Sequence, residues 1–152
     1  MPPTDPMPAW VQAAPFRAHV RHLIDTTGLP WPVVAAEAGA PTALVQRLVS
    51  SRRGRTLTRI PPVVARRLLD LSAGDLLSAT RRTVPAGATG VRVSALLGAG
   101  HEARRVAAFC RLTEAELLAL PRAVRCSRLT EILVEAACIL SVRTPSALRA
   151  AA

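Results

Sequence analysis

Laid over itself with a shift of 72 residues and no gaps, this 152-residue chain meets itself at 12 of the 53 positions from 19 to 71. Val34-Ala35-Ala36 falls on Val106-Ala107-Ala108, Gly28 on Gly100, Ala43 on Ala115 and Leu48 on Leu120. Further on, Arg53 meets Arg125, Leu57-Thr58-x-Ile60 meets Leu129-Thr130-x-Ile132, Ala65 meets Ala137 and Leu68 meets Leu140. The matches fall at positions expected to face inward. Self-similarity at one period points to two copies of a small supersecondary unit. Units of about 60–75 residues lie near the lower limit for a single hydrophobic core.

Each copy reads as helical. Alanine, leucine and arginine supply 68 of the 152 residues, and all three favour helix. Phe16, Val20, Leu23 and Ile24 form one stripe of a first helix that ends at Thr27-Gly28. A short helix follows from about Pro32 to Ala38, then a turn at Gly39-Ala40-Pro41 and a third helix from Thr42 to Val49. Ser50-Ser51-Arg52-Arg53-Gly54-Arg55 is a basic loop, and Pro61-Pro62 opens a helix over about 62–71. In the second copy the periodicity predicts helices near 91–97, 102–109, 113–120 and 128–141, with Thr113-x-x-Glu116 as a capping box. The expected fold is all-α, with two tandem helix-turn-helix-containing units joined by a linker. The expected boundaries are a disordered, Pro-rich lead over 1–14, a first unit over 15–71, a linker over 72–90, a second unit over 91–141 and a tail over 142–152. The linker assignment rests on the Ser, Thr and Gly content of 72–90, interrupted by one helical turn at Asp75-Leu76-Leu77.

The spacing within copy one narrows the unit further. A helix-turn-helix needs a small residue where its two helices cross, a turn residue four positions later, and apolar residues on the inner face of the second helix. Ala35, Gly39, Val45 and Leu48 meet those needs in order. In copy two Ala107, Leu117 and Leu120 fit, while Arg111 stands where the glycine should be.

Charge points the same way. The formal net charge is +10, and all twenty basic residues are arginine; lysine, asparagine and tyrosine are absent. A GC-rich genome accounts for those absences, since the missing types share A/T-rich codons. The chemical consequence is that guanidinium must serve every phosphate contact, and glutamine is the only amide for reading a base. Tyrosine recombinases, type I topoisomerases and P-loop nucleotide hydrolases lack their essential residue here.

The chain resembles the helix-turn-helix regulators of high-GC actinobacteria and their phages, including the immunity repressors of temperate actinobacteriophages. The resemblance rests on Val34-Ala35-Ala36-Glu37-Ala38-Gly39, on the basic loop followed by Ile60-Pro61-Pro62-x-x-Ala65-Arg66-Arg67-Leu68-Leu69, and on Val84-Pro85-Ala86-x-x-x-Gly90-x-Arg92-x-x-Ala95-Leu96. It covers roughly residues 16–140, although Val91-Arg92-Val93 is less basic than the family's usual run after that glycine. The resemblance implies a repressor that binds an asymmetric site through two DNA-binding segments of one chain.

In a helix-turn-helix the second helix enters the major groove. Copy one would therefore turn Thr42, Ala43, Gln46, Arg47 and Ser50 to base edges. Gln46 suits adenine, Arg47 suits guanine, and Ala43 with the Thr42 methyl suits thymine. Arg52, Arg53 and Arg55 would hold phosphate or probe a minor groove, as would Arg81 and Arg82. Copy two exposes Thr113, Glu114, Ala115, Leu118, Ala119 and Arg122, and around that helix Arg104, Arg105, Arg111, Arg122 and Arg125 would likewise hold phosphate or a minor groove, with Arg128 beside them. That helix either reads few bases or serves a protein contact.

No catalytic motif, metal-ligand pattern or cofactor signature is present in the sequence. His19 and His22, at i and i+3, read as surface or phosphate-side histidines rather than ligands. Cys110, Cys126 and Cys138 read as reduced and partly buried. No leader peptide or membrane span is legible, so the expected location is the bacterial cytoplasm or nucleoid, in a host cell if phage-encoded. The expected function is sequence-specific repression on double-stranded DNA by a non-enzymatic monomer. The alternatives are an adaptor docking on RNA polymerase or a recombinase, and an architectural or excision factor that bends DNA.

Overall fold

A computed structural model describes residues 9–51 and 54–143. These residues are mostly helical, and the fold is all-α with two small antiparallel strand pairs. The chain divides into two compact units, the first ending at Leu77 and the second beginning at Ser78.

The first unit runs β1 (Val11–Gln12), α1 (Ala14–Thr27), α2 (Trp31–Ala38), α3 (Thr42–Val49), β2 (Arg59–Ile60) and α4 (Pro62–Leu69). Proline opens three of these helices: Pro15, Pro32 and Pro62 lie in their first turns, where a missing N–H costs nothing. Val11 pairs with Ile60 and Gln12 with Arg59. Val20 and Leu23 of α1, Val33 and Val34 of α2, Val45 and Leu48 of α3, Ile60 and Leu68 are all buried together in its core. Burying each such side chain contributes about 1.5–3 kcal/mol.

Next comes α5 (Ala73–Arg81), within which the division between units falls. The second unit continues with β3 (Thr83–Pro85), α6 (Gly87–Gly98), α7 (Ala103–Phe109), α8 (Glu114–Ala119), a 3-10 turn (Leu120–Arg122), β4 (Arg125–Ser127) and α9 (Arg128–Arg143). Val84 pairs with Cys126 across β3 and β4. Val93, Leu96, Val106, Leu117, Leu133 and Val134 are buried in this unit's core. The order strand, three helices, strand, helix is that of the first unit.

Three expectations need correction. The linker expected over 72–90 is ordered structure, carrying α5, β3 and the start of α6. Its Ser and Thr residues have structural work: Ser72 and Asp75 cap α5 reciprocally, and Thr80 and Thr89 are buried. The lead expected over 1–14 ends earlier, because Val11 and Gln12 form a strand and Ala13 is fully buried. Residues 1–8 of that lead lie outside the described residues, as do 144–152 of the expected tail, whose first two positions belong to α9.

The ungapped repeat is the third correction. The shift of 72 holds from Gly28/Gly100 to Leu48/Leu120, across α2–α3 and α7–α8. Beyond that, the first unit has a longer loop. Thr58 accepts a hydrogen bond from Ala13 N, and the equivalent acceptor for Ala86 N is Val124, only 66 residues further on. Leu57-Thr58-x-Ile60 therefore lies in loop and strand, whereas Leu129-Thr130-x-Ile132 lies in α9. That match is a coincidence of composition.

Candidate nucleic-acid interface

The α2–α3 pair is closed by a tight turn. Gly39 is left-handed at φ 63°, Gly39 N donates to Ala36 O at 3.1 Å, and Ala40 N donates to Ala35 O at 2.9 Å. Arg67 of α4 donates to Gly39 O at 2.9 Å, which places a positive charge at the C-terminus of α2. Val45 and Leu48 then anchor α3 on its inner side. The remaining face carries Thr42, Ala43 and Gln46, each half-buried, and Arg47 and Ser50, both exposed. Ser50 Oγ donates to Gln46 O, so its hydroxyl proton is turned to its own helix.

Two arginines that sequence reasoning passed over hold the far end of α3. Arg17 Nε donates to Leu48 O at 2.8 Å, and its Nη2 donates to Leu57 O. Arg21 donates to Val49 O at 3.4 Å. The last carbonyls of a helix lack partners within it and carry partial negative charge, so guanidinium suits them twice over. Arg17 also ties Leu57, two residues beyond Arg55, to α3. The only sequence signal was the i, i+4 spacing of two arginines on α1; their target was legible only in three dimensions.

Above that tie, Arg47, Ser50, Arg55, Thr56 and Leu57 line one cleft. Among the described residues no carboxylate lines it. Arg52 and Arg53 lie outside the described residues.

The second unit presents its equivalent face differently. Arg111 takes the turn position with a left-handed φ of 57°. Thr113 accepts from Glu116 N at 3.2 Å and donates from its own N to Glu116 Oε2 at 2.7 Å, the expected capping box. The Thr113 backbone N–H, and after it the Thr113 hydroxyl donating to the same Oε2, hold the Glu116 carboxyl below its ordinary value. Glu114, Ala115, Leu118 and Ala119 are exposed on α8, Leu118 by half. Alongside, Glu102, Arg104, Arg105, Ala108 and Glu114 line a groove of mixed charge.

Several basic residues here are engaged within the unit. Arg105 pairs with Glu102 at 2.7 Å, Arg125 donates to Thr83 O at 2.9 Å, and Arg128 pairs with Glu131. Arg82 Nε reaches Ala79 O at 3.4 Å, while Arg81 lies exposed at the end of α5 and Arg104 and Arg122 are exposed on α7 and the 3-10 turn. The structure thus groups Arg47 with Ser50 and Arg55 in the first unit, and Arg104 with Arg105 in the second.

His19 Nε2 lies 3.2 Å from Leu71 O, and among the described residues no three His, Cys, Asp or Glu side chains come together as a metal site. Cys110 is buried, which pushes its thiol up to about 12, with Cys138 adding a smaller contribution. All three cysteines are free thiols. No helix among the described residues is long and apolar enough to cross a membrane.

No protein-family model, curated protein or solved structure matches the chain.

Proposed function

We propose that this chain binds double-stranded DNA at a specific sequence and represses transcription by occluding it, as an immunity repressor of a phage or prophage does. The observation that carries this reading is α3. Its inner face is anchored by Val45 and Leu48, and its outer face offers Thr42, Ala43 and Gln46 beside a cleft lined by Arg47 and Arg55 and, among the described residues, by no carboxylate. A groove-entering helix needs this division between a fixed inner face and an open outer one. The net charge of +10 supplies the sequence-independent part of the affinity. Gln46 is the residue best suited to choose a base, through adenine N6 and N7.

Selection of bound duplexes from a random pool, followed by footprinting, tests the reading. A defined motif with protection over it supports repression. Weak, sequence-tolerant protection with strong bending supports the architectural alternative instead.

A second reading applies to the second unit alone. Leu118 stands where α3 has Gln46, and Glu114 where it has Thr42. An apolar residue and a carboxylate on the outer face favour protein contact, with RNA polymerase or a recombinase as the partner class. Footprint protection confined to the first unit's half-site would favour that adaptor role.

A further inference from the structure

We infer that Arg47 and Arg55 together hold one phosphate group, so that Arg47 is a backbone clamp and not a base reader. This rests on the DNA-binding reading above and assigns the ligand of one part of that surface: a phosphodiester of the duplex.

The cleft is built, not incidental. One wall is the last turn of α3, with Arg47 and Ser50; the other is Arg55, Thr56 and Leu57. Arg17 bolts the walls together from beneath, through Leu48 O on one side and Leu57 O on the other. The spacing of the walls is therefore set before any ligand arrives, which lowers the ordering cost of binding. Among the described residues, neither the Arg47 nor the Arg55 side chain has a hydrogen-bond or ion-pair partner. Two like charges facing one cleft repel, and an anion between them converts that repulsion into attraction.

The chemistry of the lining selects the anion. Guanidinium presents paired N–H donors in a plane, matched to two oxygens of a tetrahedral oxyanion. The Ser50 hydroxyl proton is turned to Gln46 O, so among the lining residues the remaining side-chain donors belong to Arg47, Arg55 and Thr56. A guanine edge presents two acceptors to one guanidinium, whereas a phosphodiester between Arg47 and Arg55 can accept from both. The second unit has no counterpart: its chain passes from the 3-10 turn at Leu120–Arg122 to β4 at Arg125 with two residues between them.

Two measurements on the full-length chain test the inference. The first titrates inorganic phosphate and follows the arginine side-chain Nε–H signals by NMR, assigned with Arg47→Ala and Arg55→Ala. Both signals should shift along one saturating curve, and removing either arginine should weaken the other's response at least about fivefold, as expected for a shared charge-assisted ligand. The second compares Arg47→Ala, Arg55→Ala and the double variant on the selected duplex and on an unrelated one. Each should weaken both duplexes alike, and each should reduce the slope of log K against log salt by about one, with the double variant no worse than about one either.

Arg47→Ala weakening the selected duplex tenfold more than the unrelated one would overturn the inference. Phosphate binding with unchanged DNA affinity in all three variants would overturn it too, by pointing to free phosphate as the ligand. If the wild-type chain binds phosphate as described but no duplex at all, the repressor reading fails and the phosphodiester assignment fails with it. If it binds its duplex while the two signals ignore phosphate and the variants bind normally, only the clamp fails.

Discussion

Arg111 holds in the second unit the left-handed backbone that Gly39 holds in the first, at φ 57° against 63°. The same pair of hydrogen bonds closes both turns: Arg111 N to Ala108 O and Leu112 N to Ala107 O, as Gly39 N to Ala36 O and Ala40 N to Ala35 O. The turn geometry persists although the residue suited to it has gone. A left-handed conformation costs an L-residue about 1–2 kcal/mol, and glycine gives back roughly 0.4–1 kcal/mol through the unfolded chain. Arg111→Gly should therefore be more stable than Arg111→Ala, which removes the same side chain, by about 0.5–1 kcal/mol. Gly39→Ala should destabilise the first by about 1 kcal/mol; the nearest atom to its new Cβ, Arg67 Nη1, is 3.8 Å away, so the cost is conformational alone. Urea denaturation of the full chain reads both, and an Arg111→Gly variant less stable than Arg111→Ala would contradict the shared turn.

Arg17 and Gly90 are also equivalent, each donating its backbone N–H to the buried alanine that precedes its helix, Ala13 or Ala86. They solve one packing problem in two ways. Arg17 reaches Leu48 O with its side chain, whereas Gly90 lets α6 come directly onto the backbone at Leu120. A Cβ on Gly90 would stand 2.8 Å from Pro121 Cα and 2.9 Å from Leu120 O, and both are backbone atoms that cannot swing away. Gly90→Ala should cost about 1–3 kcal/mol by overpacking. Arg17→Ala should cost about 1.5–3 kcal/mol, the range for hydrogen bonds from a charged group. Hydrogen exchange should then quicken at 55–58 in Arg17→Ala and stay unchanged there in Gly90→Ala.

The helices with clear stripes or caps were legible in the sequence: α3 spans Thr42–Val49 as expected, and the Thr113–Glu116 box starts α8. Region 72–90 was not, because composition treats Ser, Thr and Gly as linker residues. Here Ser72 caps a helix, Thr89 is buried and Gly90 permits a close approach, all tertiary reasons. The strands were missed because two-residue pairs such as Val11–Gln12 with Arg59–Ile60 carry no periodicity. The outer face of α3 followed from the helix period, once Val45 and Leu48 were recognised as inward. Arg17 did not, since its partners are carbonyls 31 and 40 residues away.

Acid should loosen both capped helices. Glu116 is held below its ordinary value of 4.5 by Thr113, and Asp75 below 3.8 by Ser72, the Ser72 hydroxyl contributing most. A carboxyl whose folded pKa is depressed contributes stability that is complete above its unfolded value and is lost as pH falls through its folded one. Stability should thus decline as pH drops below about 4.5, and Glu116→Gln should flatten part of that decline. An unchanged acid slope in Glu116→Gln would remove the capping box from the account.

DNA affinity should depend steeply on salt. If about six to eight arginines meet phosphates, the slope of log K against log salt should be roughly −5 to −7. Gln46→Ala should lose about 1–3 kcal/mol on the selected duplex and little on an unrelated one. A slope near −1 would mean that the basic surface is not a nucleic-acid footprint.

The last prediction concerns symmetry. A single helix-turn-helix reads few base pairs and usually dimerises, so its sites are palindromes. This chain repeats one element order twice, with unlike outer faces. Thr42, Gln46, Arg47 and Ser50 stand against Glu114, Leu118, Ala119 and Arg122, and Ala43 alone is kept, as Ala115. The stretch between α3 and β2, which carries Arg55, is shortened in the second unit. Two unlike faces on one chain should prefer two unlike half-sites, so one chain should bind an asymmetric site of more than about 10 base pairs, one helical turn. Sedimentation of the chain with its selected duplex counts chains per DNA. Leu118→Ala on the same duplex then shows whether α8 touches bases. One chain per duplex, with weakened binding in Leu118→Ala, supports two reading heads. Two chains on a palindrome, with Leu118→Ala abolishing the pairing and Gln46→Ala the sequence choice, would assign the second unit to assembly.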